Sequence, residues 1–191
     1  DLAAIGTVAD IMVLEGENRT LVKAGLELMQ DSERPGLRAL ISACGLEDKP
    51  LTAESISYAI APKLNAAGRM KDATAALQLL LCEDEEEAEE IAHELIEQNN
   101  ERRKTEQDIA AQIMEQIAGA DGHDKERMIV VWGKGWHQGV IGIVASRLVE
   151  RFGKPAIVIS IDENGEGKGS GRSIPGFSLY DAIASASEHL L

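Results

Sequence analysis

Aromatic residues are scarce: two Trp, two Tyr and two Phe make up 3% of the 191 residues. That count excludes a binding surface built mainly from stacked rings, and Leu, Ile, Val and Ala must fill the interior. Cysteine is scarcer still, at Cys44 and Cys82. Both stand in apolar surroundings, so buried free thiols are expected rather than a disulfide or metal ligands. No apolar run is long enough to span a bilayer, and the first residues lack the basic-then-apolar order of a signal peptide. A soluble, cytoplasmic protein with no membrane partner is the expectation. Positive charge is also short, with 19 Lys and Arg against 33 Asp and Glu and a formal net charge of −14. On average, that excess repels phosphates. The distribution is uneven, however: residues 1–120 hold 11 basic and 24 acidic residues, and residues 121–191 hold 8 and 9. The last third is nearly neutral and open to an anionic ligand.

What is present, 44% hydrophobic residues, fills one sizeable core or two small ones. Residues 83–118 contain no Gly or Pro, and Ala88, Ile91, Ala92 and Leu95, then Ile109, Ile113 and Ile117, recur at helical spacing. Between Glu97 and Asp108 the apolar stripe vanishes, as in a connector helix packed at both ends. Arg102, Arg103 and Lys104 fall in that polar middle, where pairing with the more numerous acids is expected. "GADGHDKE" then reads as a boundary loop. "RMIVVW" and "PAIVISI" read as strands flanking a helix, which implies a parallel pair. The first strand is expected to stop at Trp132 and the helix to begin near Val140. "DENGEGKGSGRS" leads into a glycine-rich strand or loop, and "FSLYDAIASASEHLL" reads as a closing amphipathic helix.

Earlier segments read as helices, with Thr52 as an N-cap. Pro62 ends or bends what precedes it, leaving "APKLNAAGRM" as a loop or a new helix start. The expected class is α/β: a mostly helical N-terminal part over 1–82, a connector helix over 83–119, and a small α/β domain with a partly parallel sheet over 120–191.

Four stretches carry possible chemistry. In "GWHQGVIGIVASRL" (residues 135–148) glycines permit a tight turn before a helix, whose first amides would accept an anion with His137 and Gln138 beside them. The same pattern also fits a sharp corner in which Trp136 and His137 merely pack or cap. "GKGSGRS" offers Ser170, Arg172 and Ser173 for phosphate oxygens, or is a solvent-exposed hairpin. "APKLNAAGRM" sets Lys63, Asn65 and Arg69 among small residues that allow close approach of a polymer backbone, or is an ordinary helix end. "DLAAIGTVAD" ends at Asp10, which by spacing alone caps its segment, since one carboxylate makes no metal site. His93, His123 and His189 show no ligand spacing.

In this order, and separated by a long polar-centred helix, these four stretches resemble the RecJ family of single-strand-specific exonucleases in the DHH phosphoesterase superfamily. The resemblance covers essentially the whole chain, from the end of the catalytic domain through the connector into the DHH-associated domain. It implies two divalent metals, Mn2+ or Mg2+, that activate water to attack single-stranded DNA from its 5′ end. It makes Asp10 a catalytic metal ligand and places Asn65 and Arg69 on the substrate near that end. It puts His137 in the associated domain's cleft-facing motif, and Ser170 and Arg172 on the 5′ phosphate or DNA backbone. A single-strand-binding protein or a helicase would be the cellular partner. The sequence has no DHH triplet, no earlier aspartate-rich motif and no glycine–glycine–histidine motif after its final helix. A fragment is therefore expected, one that binds no metal and cleaves no DNA alone. Two alternatives stand beside this one: a phosphodiesterase of the same superfamily acting on oligonucleotides or cyclic dinucleotides, and a non-catalytic nucleic-acid-binding module.

Overall fold

The computed structural model describes residues 1–119 and 126–189. Contacts group the chain into two units, Asp1–Arg102 and Arg103–Leu191.

The first unit is helical: α1 (Leu2–Ala9), α2 (Gly16–Gln30), α3 (Pro35–Ala43), α4 (Ala61–Met70), α5 (Thr74–Leu81) and the first half of α6 (Glu85–Gly119). Leu37, Leu40, Ile56, Ile60, Leu79 and Leu95 lie fully buried in one core. Each such side chain contributes roughly 1.5–3 kcal/mol by leaving water. Thr52 caps as expected: the Ser55 amide donates to its Oγ1 while its own amide donates to Ser55 Oγ, both at 3.2 Å. A π-helical turn, Ser55–Ile60, then leads into α4. "APKLNAAGRM" is thus a helix start. Pro62 sits in its first turn, where a missing N–H costs nothing, and the wide turn before it absorbs the bend.

In the second unit β1 (Ile129–Lys134) pairs in parallel with β2 (Ala156–Ile161) through α7 (Gln138–Phe152), as the strand–helix–strand order predicts. β3 (Gly167–Arg172) returns antiparallel to β2, and the Asp162 carboxylate fixes the turn by accepting from the Asn164 and Glu166 amides at 2.8 and 2.9 Å. β1 runs two residues past Trp132 because the ladder continues to the Gly135 amide, which donates to the Ile161 carbonyl at 2.9 Å. α7 starts at Gln138 rather than Val140, since His137 caps it. Strand alternation turns Ile129, Val131, Ala156 and Val158 inward, and Val140, Ile141, Val144, Ala145 and Leu148 supply the buried face of α7. Val130 and Trp132 point the other way and are exposed. α8 (Leu179–Ser185), capped by Ser178 and followed by a 3-10 turn (Ser187–His189), is shorter than expected and buries no residue.

The long helix matches its expected span, but its inward face does not fade where the apolar stripe does. Gln98, Asn99 and Glu106 are buried, continuing the stripe in polar side chains. Gln98 donates to Glu94 Oε1 at 2.8 Å and Asn99 Oδ1 accepts from Arg102 at 3.3 Å. The expected pairing of basic residues fails for Arg103 and Lys104, which form no ion pair among the described residues. Both cysteines are free but only half-buried, correcting the expected burial. Burial still pushes the Cys44 thiol pKa up, with Lys63 pulling the other way. Most of the expected boundary loop falls on residues 120–125, outside the described residues. Among the described residues no helix is long and apolar enough to cross a membrane.

Candidate nucleic-acid interface

In the first unit α1 ends in a tight backbone turn. The Ile11 amide donates to the Val8 carbonyl and the Met12 amide to the Thr7 carbonyl, each at 3.1 Å, with Ile11 at φ 56°. Such a helix end normally takes glycine at that position, and a β-branched residue there costs about 1–2 kcal/mol. Ile11 is 88% exposed, so no packing within the unit offsets the strain. The turn leaves Asp10 as the C-cap, exposed at the negative end of the helix dipole, which favours a cation beside it.

Asn65 and Arg69, four residues apart, share one exposed face of α4. With Gly6, Ala9 and Asp10 they line an open cleft of about 510 Å³. Asp10, Asn65 and Arg69 hold no hydrogen bond or ion pair through their side chains among the described residues. Their donors and acceptors are therefore free for a ligand. A larger hollow of about 620 Å³ lies by Arg38, Glu47, Glu85, Glu89 and His93. Its guanidinium is already paired with Glu85, and its three acids would repel a phosphate. The smaller cleft sets one unpaired guanidinium against a single carboxylate.

Metal chemistry is a different matter. Among the described residues no group of three or more His, Cys, Asp or Glu could hold an ion. Asp10 brings one carboxylate to its cleft, with no second acid or histidine in the lining and the Arg69 cation beside it. The residues present do not by themselves fit a metal.

In the second unit the two conspicuous residues of the turn before α7 pack and cap, as the sharp-corner alternative expects. Trp136 is buried; its indole N–H donates to Gln112 Oε1 at 2.9 Å, and its carbonyl accepts from Ser160 Oγ. The ring lies so close over Gly133 that an added Cβ would sit 2.2 Å from it, which explains that glycine. Trp136 is structural. His137 caps α7, its Nδ1 accepting from the Gly139 amide at 3.2 Å. An accepting Nδ1 leaves the ring proton on Nε2, which makes that nitrogen the ring's remaining donor. Five residues on, Gly142 provides the space for Ser170 Oγ and Arg172 Nη2, 2.9 and 3.4 Å from where a Cβ would stand. Ser170 and Arg172 therefore lie against the same helix that His137 caps. Arg172 is exposed and steadied by its Nη1 donating to the Gly171 carbonyl at 2.8 Å.

Sequence inspection missed Gln112, Glu106 and Arg147, each of which contacts a partner remote in sequence. Positions 106, 109 and 113 repeat at helical spacing, a signal that would have marked Glu106 as inward-facing despite its charge.

Comparison with known proteins matches this architecture. Residues 125–190 fit the model of the DHHA1 domain family. The single-stranded-DNA-specific exonuclease RecJ of Bacillus subtilis is 44% identical over 185 residues, 96% of this chain and 23% of the relative. The chain is similar to a segment of the RecJ exonucleases. The RecJ of Escherichia coli is 38% identical over 189 residues, covering 96% of this chain and 32% of its own length. A crystal structure of RecJ from Thermus thermophilus in complex with Mg2+ aligns over the whole chain and 29% of its own, with a TM-score of 0.85 and 37% identity. A structure of exonuclease RecJ bound to manganese gives 0.84 and 38%, with 46% of that chain covered. Helical unit, long helix and mixed three-stranded sheet are thus RecJ features. The chain spans between about a quarter and a third of the curated RecJ relatives it matches.

Proposed function

We propose that this chain is the substrate-holding part of a divalent-metal-dependent exonuclease that removes nucleotides from the 5′ end of single-stranded DNA in repair and recombination. The observation that carries this reading is the convergence of Asp10, Asn65 and Arg69, otherwise unengaged, on one open cleft. Arg69 offers a planar fork to two phosphate oxygens, and the Asn65 amide donates beside it. Asp10 supplies one metal ligand of a set completed outside these 191 residues. When bound, Mn2+ or Mg2+ would activate water and balance the charge that develops on the phosphodiester. In the second unit His137 Nε2, the Ser170 hydroxyl and the Arg172 guanidinium hold a further phosphate, at the 5′ end or along the backbone. Such an enzyme works in the cytoplasm, with a single-strand-binding protein or a helicase presenting the strand.

With one metal-binding carboxylate, the 191-residue chain alone releases no nucleotides. In the full-length enzyme Asp10→Ala lowers manganese-dependent nucleotide release on the order of a thousandfold, because several kcal/mol of charge stabilisation leave with the metal. Release by the isolated chain, or an undiminished rate in the full-length variant, would overturn the assignment.

A further inference from the structure

Among the described residues Glu106 is the one buried charged side chain, 1% exposed on the inward face of α6. Its carboxylate pairs with Arg147 Nε of α7 at 2.5 Å, while the arginine side chain remains 58% exposed. Desolvating a carboxylate costs several kcal/mol, which a close partner offsets but rarely exceeds. A leucine at 106 would extend the stripe formed by Ile109 and Ile113 without that cost. The buried pair is therefore poorly explained by stability alone and better explained by register, because only one axial and rotational setting of α7 brings Arg147 to Glu106.

Two more polar contacts from α6 act on the same region. Gln112 accepts from the Trp136 indole, and Gln116 Nε2 donates to the Trp132 carbonyl at 3.0 Å. The three grips fall on the middle of α7, on the turn before it and on β1. They frame the helix that His137 caps and against which, at Gly142, Ser170 and Arg172 lie. An apolar contact would hold α7 down yet let it slide or roll; the directional contacts at Arg147 and at Trp136, just before the helix, do not.

We infer that Glu106 is a positioning residue for DNA recognition: through Arg147 it fixes α7, and so holds the His137 cap and the Ser170 and Arg172 side chains that lie against this helix in one setting, without touching DNA. This rests on the phosphate-holding role proposed above for the second unit. The test uses the full-length enzyme with Glu106→Gln, which keeps shape and removes charge, the apolar pair Glu106→Leu with Arg147→Leu, and Arg172→Ala. Glu106→Gln and the apolar pair should each raise KM for single-stranded DNA about tenfold, with kcat within about twofold. In an Arg172→Ala background the added effect should shrink to under about twofold, since both changes act on one site. The apolar pair should melt no lower than the parent enzyme, separating positioning from folding. If Arg172→Ala raises KM while the Glu106 variants do not, or if their effects multiply undiminished, the inference falls and the phosphate role stands. If Arg172→Ala leaves KM unchanged, the phosphate role falls and takes the inference with it.

Discussion

Asp10, Asn65 and Arg69 come to their cleft as side chains with nothing attached, whereas the turn around His137 is almost fully committed to its own fold. There the indole of Trp136, the ring of His137 and the guanidinium of Arg172 each already hold an internal partner. The difference separates two kinds of site. Free, exposed groups around a helix C-terminus keep their donors and acceptors for a ligand. A turn built from buried aromatic and backbone contacts is rigid before anything binds, and offers only a few outward atoms.

If the second site is a frame, its weakest member is Trp136. Trp136→Ala should destabilise the second unit by about 3–5 kcal/mol, the usual cost of emptying a large core position, while amide exchange in α3 and α5 of the first unit stays unchanged. Equal loss of protection in both units would erase the contrast. A smaller effect compares the two arginines. Arg69→Ala and Arg172→Ala in the full enzyme should each weaken DNA binding by about 1.5–3 kcal/mol and reduce the salt slope by about 1. Lysine should restore more at 69 than at 172, because the Arg172 fork is already aimed by its bond to the Gly171 carbonyl. Equal rescue would mean that preorganisation does not distinguish the sites. The smallest effect lies beside Asp10: Ile11→Gly should stabilise the first unit by about 1 kcal/mol through relief of its left-handed backbone, read as a higher thermal midpoint. A lower midpoint would show that Ile11 packs in solution.

Local order was legible where one physical signal dominated. An uninterrupted run of helix formers marked α6, and β-branched runs around a glycine turn marked a parallel strand pair. The resemblance to RecJ was legible from four short stretches in order. The continuation of the buried stripe through Asn99 and Glu106 was not, because a search for apolar periodicity is blind to a polar residue that faces inward with a partner. Nor was the division of labour between Trp136 and His137, since the partner of the indole, Gln112, lies on a different helix. "APKLNAAGRM" was ambiguous because Pro62 breaks a helix from inside and starts one from its first turn, and only the preceding π-helical turn distinguishes the two.

The chain's own residues determined the elements and their order, since backbone propensity, capping and hydrophobic spacing act within a few residues of each other. Only the tertiary structure decided which polar groups would be spent and which left free. Hydrogen bonds and ion pairs such as Glu106 with Arg147 depend on distances across space that no spacing along the chain encodes.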